Sequence, residues 1–76
     1  MERVRQMQRI KELRKEKSMN QIALGMELNF SQKIISEYEN GKVEPSITTL
    51  KKLASIFNTS VDYIIEYTDI KQPIDK

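Results

Sequence analysis

Gln32 and Lys33, with Ser36 and Glu37 one turn further on, are the side chains in this sequence best placed to read another molecule. Glutamine and lysine are among the residues that pair with adenine and guanine edges in a major groove, and near the start of a short exposed helix they reach a groove floor. Covalent chemistry is not indicated. The chain has no histidine and no cysteine, which removes the usual general base, the common zinc ligands and any thiolate or disulfide. No glycine-rich loop is present to cradle a phosphate. The expectation is a binding protein without cofactor or metal, and not an enzyme.

Such side chains need a helix to carry them. Ser31 is suited to accept bonds from the orphan N–H groups of a helix start, and Asn40-Gly41 is a natural stop. Between them Ile35 and Tyr38 fall on one face while Gln32, Lys33, Ser36 and Glu37 project from another. Upstream, residues 20–28 open on a cap residue, Asn20, and carry their own apolar pattern, with only Asn29 and Phe30 intervening before Ser31. Two short helices joined so tightly cross steeply, the helix-turn-helix geometry. Gly25 lies inside the first of them, where glycine costs about 1 kcal/mol relative to alanine, so its use is close approach of the second. Asn29 stands where the turn wants a residue tolerant of positive φ.

The remaining pattern is helical throughout, giving an all-α bundle of five helices from about residue 7 to 67, a lead-in at 1–6 and a tail at 68–76. Met7, Ile10 and Leu13 form an apolar stripe on a first helix running to about Lys17, with Arg14 next on that side. Met19, Leu24 and Leu28 extend the core, and Ile22 lies off their stripe. A fourth helix, from about Ile47 to Phe57, turns Ile47, Leu50, Leu53, Ala54 and Phe57 inward and Lys51 and Lys52 outward. Ser60 caps a fifth, from Val61 to about Tyr67, with Val61, Ile64 and Ile65 inward. Tyr63 and Tyr67, four apart, then share a face, either exposed beside Ile70 or Ile74 as a contact surface or covered by the tail folding back. Residues 72–76 are expected to be disordered.

Seventy-six residues make one domain, and a net charge of +2 does not by itself identify a nucleic-acid binder. Its distribution says more, since residues 1–20 hold seven Lys or Arg against three Glu. That excess is either a solvated helix face or part of a phosphate-facing footprint. No apolar run is long enough to span a bilayer and charges interrupt the N-terminus, so a cytoplasmic protein is the default.

Taken as a set, Arg9 to Lys17, Asn20-Gln21, Leu24-Gly25, Ser31, Ile35, the run Tyr38-Glu-Asn-Gly-Lys42, Pro45-Ser46, Leu50, Leu53-Ala54 and Ser60-Val61 closely resemble the lambdoid phage repressor and Cro type of helix-turn-helix domain, also called the xenobiotic-response-element family. The resemblance covers residues 7 to 66. It implies a phosphate-binding role for Gln21, base-edge positions for Gln32, Lys33 and Glu37 with Ser36 adjacent, backbone clamps at Asn40 and Lys42, and a structural salt bridge between Arg14 and Glu39. Three departures stand out. Ser18, Asn29 and Asn58 replace glycines at helix ends, of which Ser18 is the uncomfortable one. Glu37 brings a carboxylate towards phosphate and is useful only if it meets a cytosine amino group or is held by Lys33. Ile34 either touches a thymine methyl or is buried against the second helix.

The function implied is a sequence-specific transcriptional regulator of double-stranded DNA, a repressor binding an inverted-repeat operator as a homodimer, weak without DNA, through Tyr63, Tyr67 and Ile70. The competing class is a protein-interaction module, antitoxin-like, or the DNA-binding half of a larger regulator. A toxin-neutralising segment would have to be built from the ten or so residues after Tyr67.

Overall fold

The computed structural model describes residues 8–71, which form five helices, α1 (Gln8–Glu16), α2 (Gln21–Leu28), α3 (Gln32–Glu39), α4 (Ile47–Phe57) and α5 (Val61–Ile64), with no strand among the described residues. The expectations placed on the lead-in, on Met7 and on residues 72–76 with Ile74 lie outside that range.

Local rules set the helix starts. Asn20, Ser31, Ser46 and Ser60 are all extended, and each side chain accepts the backbone N–H three residues on, from Ala23, Ile34, Thr49 and Tyr63. The ends share one device as well. Ser18, Asn29, Gly41, Asn58 and Glu66 are left-handed, with φ between 53° and 76°. In each case the following N–H reaches back five residues: Met19 to Arg14, Phe30 to Gly25, Lys42 to Glu37, Thr59 to Ala54 and Tyr67 to Asp62, at 2.8–3.0 Å. Ser18 therefore does adopt the backbone that suits it poorly. Glu66 was not foreseen in that role, and it shortens α5 to four residues, Val61–Ile64, where a helix to Tyr67 was expected.

Ile10 and Leu13 of α1, Leu24 and Leu28 of α2, Ile35 and Tyr38 of α3, Leu50, Leu53, Ala54 and Phe57 of α4 and Ile64 of α5 make a single buried core. Met19, Ile34, Val61, Tyr63 and Ile65 pack against it half-buried. Ile47 does not join them and is 63% exposed. It sits in the first turn of α4, and a helical side chain leans towards the N-terminus of its helix, which here carries it past the edge of the core.

Close contact between α2 and α3 depends on Gly25. A Cβ at that position would stand 2.6 Å from the backbone oxygen of Phe30. The Phe30 ring meets Tyr38 edge-on, with centroids 6.2 Å apart, and ties the turn to α3.

Candidate nucleic-acid interface

The two turns of α3 divide into an inner face, where Ile35, Tyr38 and Glu39 are buried, and an outer face, where Gln32 and Lys33 are exposed and Ser36 and Glu37 half-exposed. Gln21 enters from the first turn of α2, while Asn40 and Lys42 follow from the α3 terminus. All seven polar residues singled out in the sequence line one shallow concavity of about 370 Å³. Gly41, at φ 76°, makes the turn that returns Lys42 to that side.

A chain of polar contacts runs from the interior to this surface. Arg14 is buried and meets Glu39 as a fork, Nε to Oε2 at 2.7 Å and Nη2 to Oε1 at 3.1 Å, while its Nη1 donates to the Met19 carbonyl at 2.9 Å. Glu39 Oε1 also accepts from Gln21 Nε2 at 3.1 Å, and Gln21 Oε1 accepts from Gln32 Nε2 at 3.2 Å. Both ends of the Gln21 amide are thereby held, which orients it and ties Gln32 to it. Asn40 Nδ2 donates to Ser36 Oγ at 3.3 Å, a similar tie on the opposite flank.

The Arg14–Glu39 pair is as the resemblance implied. The links from Glu39 to Gln21 and from Gln21 to Gln32 were not foreseen, because side chains 18 and 11 residues apart in sequence leave no local signal. Ile34 is half-buried and packed on the core, so the reading that buries it holds over the one that aims it at a thymine methyl. Among the described residues no ion pair joins Lys33 to Glu37.

The C-terminal end differs more from expectation. Tyr63 is half-buried with the Arg9 guanidinium 4.1 Å from its ring centroid, whereas Tyr67 is 81% exposed. The two tyrosines share no face, because the helix that would align them ends at Ile64. Residues 65–71 form a strap along α1, in which Arg9 bonds to Tyr63, Thr68 and Asp69, and Lys71 pairs with Glu16. The Lys71 pKa is raised by its bond to Glu16. Beside the strap, Pro45, Ile47, Leu50, Ile65 and Tyr67 line a groove of about 570 Å³, with the carboxylates Glu44 and Glu66 also on its wall.

Two tightly joined helices, the second offering polar side chains on an exposed face over a glycine-spaced contact, define a DNA-binding helix-turn-helix domain. Comparison with known proteins agrees, since a family model described as Helix-turn-helix matches residues 10–64. The chain belongs to the helix-turn-helix family of the Cro/C1 type. It is 35% identical over 66 residues to the immunity repressor protein of Bacillus phage phi105, covering 86% of this chain and 46% of that protein. It is 34% identical over 62 residues to the ImmF control region 10 kDa protein of the same phage, covering 82% of this chain and 68% of that one. Identity to the SPbeta prophage-derived uncharacterized HTH-type transcriptional regulator YonR of Bacillus subtilis (strain 168) is 30% over 69 residues, or 91% and 64% of the two chains. The chain thus spans about half to two thirds of the length of these relatives. No solved structure matches significantly. Among the described residues no helix is long and apolar enough to cross a membrane.

Proposed function

We propose that this protein is a repressor that binds an inverted-repeat operator as a pair of copies, each laying α3 in the major groove. The observation that carries the reading is the Gln21–Gln32 link at 3.2 Å, which ties the exposed Gln32 at the start of α3 and uses only one of its amide N–H groups. Gln32 and Lys33 are the direct readers. Ser36 lies beside them, and Glu37, with no bond to Lys33, takes the role of acceptor for a cytosine amino group. Gln21, Asn40 and Lys42 meet phosphates on the flanks, supported by the basic excess of residues 1–20. Repression is supported by the name of the phage relative, an immunity repressor. Work on DNA carries the expectation of a cytoplasmic protein.

A pair is required because one helix of eight residues reads only a few base pairs, too few to select a site from a genome. The self-association surface is best supported at the groove between α4 and the strap, with Ile47 and Tyr67 exposed on its walls and Ile70 exposed further along the strap. Tyr63 is withdrawn from that surface by its burial under Arg9. Glu44 and Glu66 border the groove, and Lys51 stands exposed one turn beyond Ile47, so residues of both charges lie near the surface that a second copy would meet. Three side chains supply a few hundred Å², below the roughly 800 Å² per partner of a standard interface, so the dimer is weak until DNA couples the copies.

The test is an operator selected by the full chain from a random duplex pool, then titrated with variants. Gln32→Ala and Lys33→Ala each lose about 1–3 kcal/mol on that operator and much less on random DNA. Lys42→Ala weakens both alike and lowers the slope of log affinity against log salt by about 0.9. Equal losses on both DNAs for the α3 variants would end the reading of α3 as the recognition helix. A selected operator without two-fold symmetry would end the two-copy model. A reporter whose promoter overlaps the operator should be silenced.

A further inference from the structure

We infer that Arg9 is a positioning residue for self-association: from α1 it holds the strap in the one conformation that stands Tyr67 at the rim of the groove. The inference rests on the two-copy reading above and adds to it a tie between the first helix and the docking surface.

The contacts bracket the chain on both sides of Tyr67. Arg9 Nη1 donates to the Tyr63 carbonyl at 2.9 Å and to the Thr68 carbonyl at 2.6 Å, while Nη2 donates to Asp69 Oδ1 at 2.6 Å. The same guanidinium stacks on the Tyr63 ring. Between the two carbonyls the chain reverses through Glu66, left-handed at φ 65°. A glutamate has no intrinsic preference for that conformation, so something must hold it there. Internal bonds, from Tyr67 N and Thr68 N to the Asp62 carbonyl, close the turn. Arg9 then fixes the closed turn to the body of the domain.

Two further ties secure the end of the strap, Lys71 to Glu16 and Thr59 Oγ1 to the Lys71 carbonyl. Arg9 and Glu16 are seven residues apart, two helical turns on one face, so the strap lies along that face of α1. No lysine could replace Arg9 here, since three partners in different directions need the planar, multi-donor guanidinium fork. Ile65, Glu66 and Tyr67 supply one wall of the groove while Pro45, Ile47 and Leu50 supply the other. Release of the strap therefore dismantles one wall and leaves α2 and α3, the DNA-facing elements, unchanged.

The experiment uses the full chain with Arg9→Lys, Arg9→Met and the pair Asp69→Ala/Lys71→Ala. The last removes two exposed anchors without touching the core, and so serves if an Arg9 variant fails to fold. Each protein is titrated against one arm of the selected operator and against the whole operator, and backbone amide order in residues 65–71 is read by ¹⁵N relaxation. The expected result is loss of order confined to the strap, single-arm affinity within about twofold of wild type, and a fall of about 5- to 150-fold in the coupling between the two arms. A loosened strap with coupling intact overturns the inference while leaving the two-copy model standing. So does an equal loss on one arm and on both, which would assign Arg9 to the fold or to DNA. Absence of coupling in the wild type removes the two-copy model, and the inference with it.

Discussion

Gly25→Ala sets two effects of opposite sign against each other at one position. Helix propensity alone favours alanine by about 0.8–1.0 kcal/mol in the interior of a helix such as α2. Against it stands the new methyl carbon, 2.6 Å from the Phe30 carbonyl oxygen and 3.4 Å from the Phe30 and Ser31 carbonyl carbons. These are backbone atoms of the turn, so no side chain can rotate away. The strain also falls on the Phe30 N–H bond to the Gly25 carbonyl, 2.8 Å long, which terminates α2. Overpacking of this kind costs about 1–3 kcal/mol, and a rigid obstacle argues for the upper part of that range. The net expectation is a loss of about 1–2 kcal/mol, or a melting temperature lower by roughly 5–15 °C for a domain of this size. Thermal and urea unfolding followed by circular dichroism measure it directly. DNA affinity should fall too, because α3 must shift relative to α2. An unchanged or higher melting temperature would mean that the two helices separate freely, and the reading of Gly25 as the spacer would be wrong.

Arg14→Met alone should lose about 3–5 kcal/mol by leaving Glu39 buried without its partner, whereas Arg14→Met with Glu39→Leu should recover most of that in denaturant unfolding. The double variant should nonetheless bind its operator more weakly, since Gln21 loses its anchor; full affinity would show that the anchor is dispensable. Ser18→Gly should gain about 1 kcal/mol by relieving a left-handed serine, visible as a higher melting temperature, while Asn58→Gly at a similar φ should change stability by only a few tenths, because asparagine already tolerates that conformation. Equal responses at the two sites would remove the distinction between them.

Features whose causes lie within one turn of chain were legible from residue types alone. The caps at Asn20, Ser31, Ser46 and Ser60 and the left-handed Asn29 and Asn58 are of this kind, and the Gly25 approach needed only the shortness of the turn beside it. Glu66 was not legible, because a glutamate carries no signal for a left-handed terminator and takes that conformation only with the chain around it held. One missed terminator then misplaced Tyr67 relative to Tyr63, since the spacing of four aligns two side chains only while the helix continues. Ile47 failed differently: periodicity gives direction around a helix but not where along its axis the core ends. Arg14 and Glu39, 25 residues apart, were paired through family resemblance, and the Arg9 contacts, 54 to 60 residues apart, had neither local pattern nor resemblance behind them.

That buried pair bears on how the polar face of α3 is ordered. A buried ion pair is weak support for stability, since apolar residues of similar volume often serve as well. Arg14 and Glu39, however, do something that apolar residues cannot: Glu39 keeps an acceptor for Gln21, and Gln21 keeps one for Gln32. A glutamine amide free in solvent samples many rotamers and must surrender them on meeting a base, at a cost of order 1 kcal/mol or more for a side chain of this kind. Here part of that ordering is already supplied by folding. Each link is anchored more firmly on its inner side, from a carboxylate gripped by a guanidinium to an amide gripped by that carboxylate. The desolvation of two charges in the interior thus has its return at the protein surface, where Gln32 is tied through Gln21 to the buried pair.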